Sequence, residues 1–162
     1  MNGQARARAV AAAALASAAC GSSVDVAGFP LYPNAEARLP CEQIARVFGP
    51  IASIDGRDVS SLGGAFDVLP GCHVVRTRAD QLESTTYVTV IGHPGGRVFA
   101  LTTKPGYTYI VKREVSDRPG STYLRADTFA QELTPTGGEA QVIYPAQSPD
   151  ELAACGIAAP AP

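Results

Sequence analysis

The sequence predicts an α+β domain, with an antiparallel sheet of four to six strands packed by one N-terminal helix and short C-terminal helices. Three observations predict it. Residues 72–115 are dense in β-branched and aromatic side chains, interrupted by turn signals such as His93-Pro94-Gly95-Gly96 and Pro105-Gly106. Residues 41–49 space their apolar side chains three and four apart. Ser148-Pro149-Asp150-Glu151 has the form of a helix capping box, with proline in the first turn.

Residues 1–19 are read as a leader that is removed. Arg6 and Arg8 precede an apolar run from Ala9 to Ala16, which is too short to span a bilayer, and small residues follow. Small residues directly before Cys20, then Gly21-Ser22-Ser23, resemble the bacterial lipoprotein signal, in which the cysteine carries the lipid. The competing reading is cleavage after Ala16-Ser17-Ala18, which releases a soluble protein. Two acyl chains on Cys20 would hold the chain stably to a bilayer, where one chain alone is marginal.

Residues 20–37 are rich in Gly, Ser, Pro and Ala and read as a flexible tether, with Phe29, Leu31 and Tyr32 able to dock on the domain. A single domain spans 38–157. Its helix opens at Pro40, carries Cys41, Ile44, Val47 and Phe48 on one face, and stops at Gly49-Pro50. A short strand could run from Ala65 to Leu69. Four strands then follow in series, at 72–78, 84–92, 98–104 and 108–115. Their short connections favour an antiparallel meander. Residues 122–124 could form another strand. Asp127 opens a short helix with Phe129, Ala130 and Leu133 as its apolar side, and residues 141–144 read as a strand. The capping box starts a last helix, ended by Gly156, and the tail 158–162 is frayed.

The chain has 162 residues and a formal charge of −2. That is one domain's length, and the near-neutral total argues against nucleic acid as a partner. Hydrophobic content of 46% is ordinary for a globular domain, and nothing points to collagen, a coiled coil or a multi-pass membrane protein. Without the leader the net charge becomes −4, and it is unevenly divided. Residues 72–125 hold eight basic and four acidic side chains; the remainder of the mature chain holds three and eleven. The sheet could therefore present a basic binding face through Arg76, Arg78 and Lys112, meeting an anionic envelope polymer or acidic protein. Acidic flanks that cover the sheet are the competing explanation.

The four cysteines are Cys20, Cys41, Cys72 and Cys155. Disulfides persist in exported proteins. A lipid on Cys20 leaves three sulfurs and so one unpaired; without it, two bridges can form. Cys41–Cys72 is the preferred pair, closing a loop worth roughly 3 kcal/mol by chain entropy. Cys41–Cys155 and Cys72–Cys155 stay open, with Cys155 otherwise a small buried apolar residue.

Catalytic signatures are scarce. Neither a Gly-x-Ser-x-Gly elbow, a phosphate loop, a dinucleotide fingerprint nor a zinc spacing occurs. The only histidines are His73, which strand alternation sets opposite Cys72, and His93 in a turn. Asp150-Glu151 reads as helix capping. No catalytic residue, metal or cofactor is expected.

The order of features is similar to small exported lipoproteins of high-GC Gram-positive bacteria that carry no assigned activity. It runs from Cys20 through a Pro-bearing tether to Pro40-Cys41, a segment ending Phe48-Gly49, and Gly71-Cys72 opening a strand. Val74 stands where such proteins often carry tryptophan. The resemblance covers residues 15–92, supports the Cys41–Cys72 pair and transfers no catalytic residue. The expected function is a non-enzymatic binding module on the outer face of the cell membrane, held to the bilayer by its acyl anchor and binding an envelope component or partner protein. The alternatives are an envelope hydrolase using His73 or His93, and a soluble secreted protein with two disulfides.

Overall fold

The computed structural model describes residues 26–79, 83–84, 89–91, 95–117 and 123–156. The leader, Cys20, His93 and the tail lie outside them. The described chain is mostly β, which overturns the α+β expectation. Twelve strands form two sheets: β1 (Phe29–Pro30), β2 (Ala45–Phe48), β3 (Ile51–Ile54), β4 (Arg57–Asp58), β5 (Ala65–Val68) and β6 (Gly71–Thr77), then β7 (Glu83–Ser84), β8 (Thr89–Ile91), β9 (Val98–Thr103), β10 (Thr108–Asp117), β11 (Tyr123–Leu133) and β12 (Glu139–Ile143). One α-helix, α1 (Pro149–Ala153), is present among the described residues.

The larger sheet runs β1-β5-β2-β10-β11-β8-β7, and β12 also pairs with β11. The smaller runs β4-β3-β6-β9. Inward residues from both sheets share one core. Val47, Phe66, Tyr109, Val111 and Ala130 come from the first; Ile51, Ile54, Val75, Phe99 and Leu101 come from the second. Alternation buries Ala45 and Val47 on β2, Phe99 and Leu101 on β9, and Ala126 and Ala130 on β11.

The expected 41–49 helix is absent. Cys41–Gln43 makes one 3-10 turn, and the chain then extends as β2. The apolar residues of 44–48 satisfy both periods: Ile44, Val47 and Phe48 fit a helix face, while Ala45 and Val47 alternate. Tertiary pairing decides between them. β2 lies between β5, antiparallel, and β10, parallel, so its backbone is bonded on both edges. The helix expected from Asp127 is likewise a strand. Ala126, Thr128, Ala130 and Glu132 are all buried at period two, and β11 pairs with β10 over ten residues.

The meander is also replaced. β6 pairs with β9, but β10 belongs to the other sheet, and the expected 84–92 strand contributes β7 and β8. Residues 141–144 do fall on a strand. Within 26–37, Phe29 and Pro30 pair in parallel with β5, and Tyr32 is buried, its hydroxyl accepting from Leu39 N–H at 3.1 Å.

Gly49 carries the crossing from one sheet to the other, with only Gly49 and Pro50 between β2 and β3. Its φ is +132°, and a Cβ there would meet Val111 Cβ at 2.9 Å. Gly56 has φ +79° but open space around it. Gly49→Ala should therefore cost about 2–3 kcal/mol, a fall of roughly 10 °C in Tm. Gly56→Ala should cost about 1 kcal/mol, from backbone strain alone. Thermal unfolding of the two variants beside the wild type checks the ranking; equal losses would mean that the Val111 contact does not matter.

Candidate functional site

The sulfur pairing differs from the preferred one. Cys72 is bonded to Cys155, with Cα atoms 4.9 Å apart and a sequence separation of 83, which corrects the Cys41–Cys72 pair. Strand alternation explains the choice. Val75 points into the core, so Cys72 points away from it. That outer position is where the chain carrying α1 arrives. Cys41 is itself disulfide-bonded, and Cys72 and Cys155 are not its partners. α1 is built as its capping box predicts: Ser148 Oγ accepts from Glu151 N–H at 3.4 Å, and Glu151 Oε2 accepts from Gln147 N–H at 3.1 Å.

The proposed basic face does not come together. Arg76 lies on β6 and Lys112 on β10, in different sheets. Their neighbours Val75 and Val111 both enter the shared core, so Arg76 and Lys112 face away from it on opposite sides. Arg78 is tied to the β3–β4 region, its guanidinium donating to Ser60 O at 2.5 Å and its backbone N–H to Pro50 O at 2.8 Å. Lys112 Nζ donates to Gln131 Oε1. The linear charge excess thus reflects strands from both sheets, not one surface.

His73 is half-buried, with both ring nitrogens against acceptors. Nδ1 is 2.6 Å from Asp55 Oδ2, and Nε2 is 2.7 Å from Leu69 O. Asp55 Oδ1 also accepts from Val74 N–H at 2.8 Å. Neither nitrogen is turned outward as a general base must be. Asp55 is held at φ +50°, so this contact closes the tight β3–β4 turn onto β6.

The most buried charge is Glu132, 1% exposed. Its Oε1 accepts from Lys104 Nζ at 2.7 Å, its Oε2 from the Gln141 amide at 3.1 Å, and the Tyr109 hydroxyl also bonds it. Burial pushes the carboxyl pKa up, but the bonds from Lys104, Tyr109 and Gln141 outweigh it and hold it below the usual value. Burial raises the Tyr109 phenol strongly, so it stays protonated. Its oxygen accepts from Lys104 N–H at 3.0 Å and lies 3.3 Å from Thr102 O. Each polar group in this cluster has a partner from the chain, which reads as structural. Arg46 and Asp67 are a second such pair, at 2.7 Å across β2 and β5.

A cleft of about 560 Å³ opens where β10, β11 and β12 meet the 144–149 segment. Glu114 and Asp127 are cross-strand partners on β10 and β11, so two carboxylates sit side by side on its wall. Phe129 follows on the same strand face. Val142, Pro145 and Gln147 also line it, together with Tyr144, which is 71% exposed. Arg97 reaches the cleft from the start of β9, in the other sheet. The 144–149 segment crosses between the sheets and is bonded to β9 by Ala146 N–H to Val98 O at 2.8 Å.

None of these cleft residues was a candidate from the sequence. The sequence alone reads Asp127 and Phe129 as part of a helix and Arg97 only as charge. The legible signal was the two-residue burial rhythm from Ala126 to Glu132, which puts Asp127 and Phe129 together outside the core. Among the described residues, no group of three or more His, Cys, Asp or Glu could hold a metal ion, and no helix is long and apolar enough to cross a membrane. No protein-family model, curated protein or solved structure matches this chain.

The Glu132 cluster has a pH signature. The Glu132 carboxyl releases its proton more readily in the folded chain than in the unfolded one. Its contribution is thus complete above the unfolded value near 4.5 and is lost as pH falls through the lower folded value. Glu132→Gln should lower the denaturant midpoint at pH 7, and the gap from wild type should narrow toward pH 3. A gap of constant size across that range would show that the charge of Glu132 does not matter.

Proposed function

We propose that this chain is an exported, non-enzymatic binding module that takes an envelope component in the cleft between β11, β12 and the 144–149 segment. The observation that carries the reading is the cleft itself. It joins apolar and aromatic walls to a few charged groups, the composition of a binding site. The enzymatic alternative has less support. His73, the one described histidine, has both nitrogens engaged and lies outside the cleft lining.

Export rests on the leader pattern, and the lipid anchor on the small residues before Cys20. The second reading is a soluble exported protein, released by cleavage after Ala16-Ser17-Ala18.

Intact mass of the exported protein before and after reduction separates the two. The anchored form carries acyl mass and gains the hydrogens of one bridge. The soluble form has no acyl mass and gains the hydrogens of two. An uncleaved leader on the exported chain would refute both. For the binding role, the purified protein should co-sediment with isolated envelope fragments. Gln147→Trp, which fills the cleft, should lose that binding while keeping the wild-type Tm. Equal sedimentation of both proteins would sink the cleft as the site.

A further inference from the structure

We propose that the Cys72–Cys155 bond is a redox latch. It holds α1 over an apolar strip on the outer face of the smaller sheet, and its reduction frees the chain from Gln147 onward. The inference stands on how the terminal segment is fastened and is independent of the binding reading above.

The strip comes from strand alternation. Val75, Phe99 and Leu101 enter the shared core, so Val74 on β6 and Val98 and Ala100 on β9 point the other way. Val74 pairs with Ala100 beside the Cys72–Thr102 pair, which places the strip next to the sulfur bond. An outer sheet face is ordinarily polar. Here Val74, Val98 and Ala100 are apolar, and each is only half-buried. The end of the chain is their cover. α1 lies against β9, and Leu152 shares a hollow of about 400 Å³ with Val98. Leu152 and Cys155, three apart, are the half-buried residues of this stretch, and Cys155 reaches Cys72.

Little besides the bond fastens this cover. α1 has five residues, far below the length at which a helix stands alone, and none of them is buried. Its capping bonds, Glu151 N–H to Ser148 Oγ and Gln147 N–H to Glu151 Oε2, are internal to the segment. The hollow shows that the helix is not close-packed on β9. The tie from chain to sheet lies earlier: Pro145 is buried, and Ala146 N–H donates to Val98 O at 2.8 Å. Residues 145–146 are therefore the hinge, and the chain from Gln147 to Gly156 depends on the sulfur bond.

Both sulfurs are reachable. Cys72 and Cys155 are each half-buried, and Thr102 beside Cys72 is exposed, its hydroxyl 4.0 Å from Cys72 Sγ. The reductant is a dithiol, the group that an exported thiol–disulfide oxidoreductase presents. One donor thiolate attacks a sulfur of the bond, forms a mixed disulfide and expels the other sulfur as a thiolate. The second donor thiolate then displaces the first sulfur. Two electrons pass to the protein, Cys72 and Cys155 each gain one of the protons the donor gives up, and the donor leaves as a disulfide. With the bond open, α1 swings on the 145–146 hinge. Val74, Val98 and Ala100 then meet solvent, and Gln147 leaves the wall of the cleft.

The test is peptide-resolved hydrogen exchange on the purified exported protein and on its Cys72→Ser/Cys155→Ser variant. In the closed form the amides of residues 154, 155 and 156 are bonded to the carbonyls of Asp150, Leu152 and Ala153. They should exchange about tenfold faster or more in the variant, while rates across β6, β9 and β10 stay within about threefold of wild type. Dithiothreitol on the folded wild type should open Cys72 and Cys155 to alkylation and raise the same exchange rates. Unchanged exchange at 154–156 would show that packing, not the bond, holds α1. Faster exchange across the strands, or a variant that does not fold, would show that the bond staples the whole domain. Either result overturns the latch, as does a bond that dithiothreitol opens only after the strands unfold. No ligand enters these measurements, so their failure leaves the binding reading standing.

Discussion

Tyr109 is the residue through which the two sheets are held in one relation. It is fully buried on β10, the strand that joins the β2–β5 side of the larger sheet to β11. Its hydroxyl accepts from the Lys104 backbone beyond the end of β9 and bonds the carboxylate of Glu132 on β11. Lys104 closes the circuit by reaching Glu132 with its own ammonium, and its Nζ lies 5.1 Å from the Tyr107 ring centroid. A polar cluster at this depth is tolerable because every member has a partner; removing one would leave a buried charge or hydroxyl unsatisfied. Its geometry also sets the register of β10 against β11, since Tyr109 and Glu132 are direct partners in that ladder.

That register carries through to the cleft. With Tyr109 opposite Glu132, Glu114 must stand opposite Asp127, five residues further along each strand. A slip of one residue would turn the whole set to the other face. The other wall depends on a covalent tie. β12 leaves the larger sheet, and the chain then runs across to the smaller one, where Cys155 meets Cys72. Core polarity and the disulfide therefore fix the two sides of the same cleft from different ends of the chain.

The strands within 72–115 were legible because β-branched residues and turn glycines mark them locally; β6, β9 and β10 begin and end close to where those signals fall. The segments 41–49 and 127–133 were not legible. Each holds apolar residues at spacings that suit a helix and a strand alike, and each is settled by bonds to strands distant in sequence. Ala45 pairs with Val68, and Phe129 with Lys112. The basic face failed for a related reason: Arg76 and Lys112 belong to neighbouring segments of a charged stretch, but consecutive strands β9 and β10 lie in different sheets.

The sequence by itself determined the leader pattern, the near-neutral charge that turns the search away from nucleic acid, the turn positions and the capped terminal helix. These depend on the chemistry of a few adjacent residues. Only the tertiary structure decided that the domain is mostly β, that Cys72 meets Cys155, and that Arg97, Asp127, Phe129 and Tyr144 share a cleft. Those outcomes depend on which strand edges find each other, and pairing between distant segments leaves little local signature in the residues that take part.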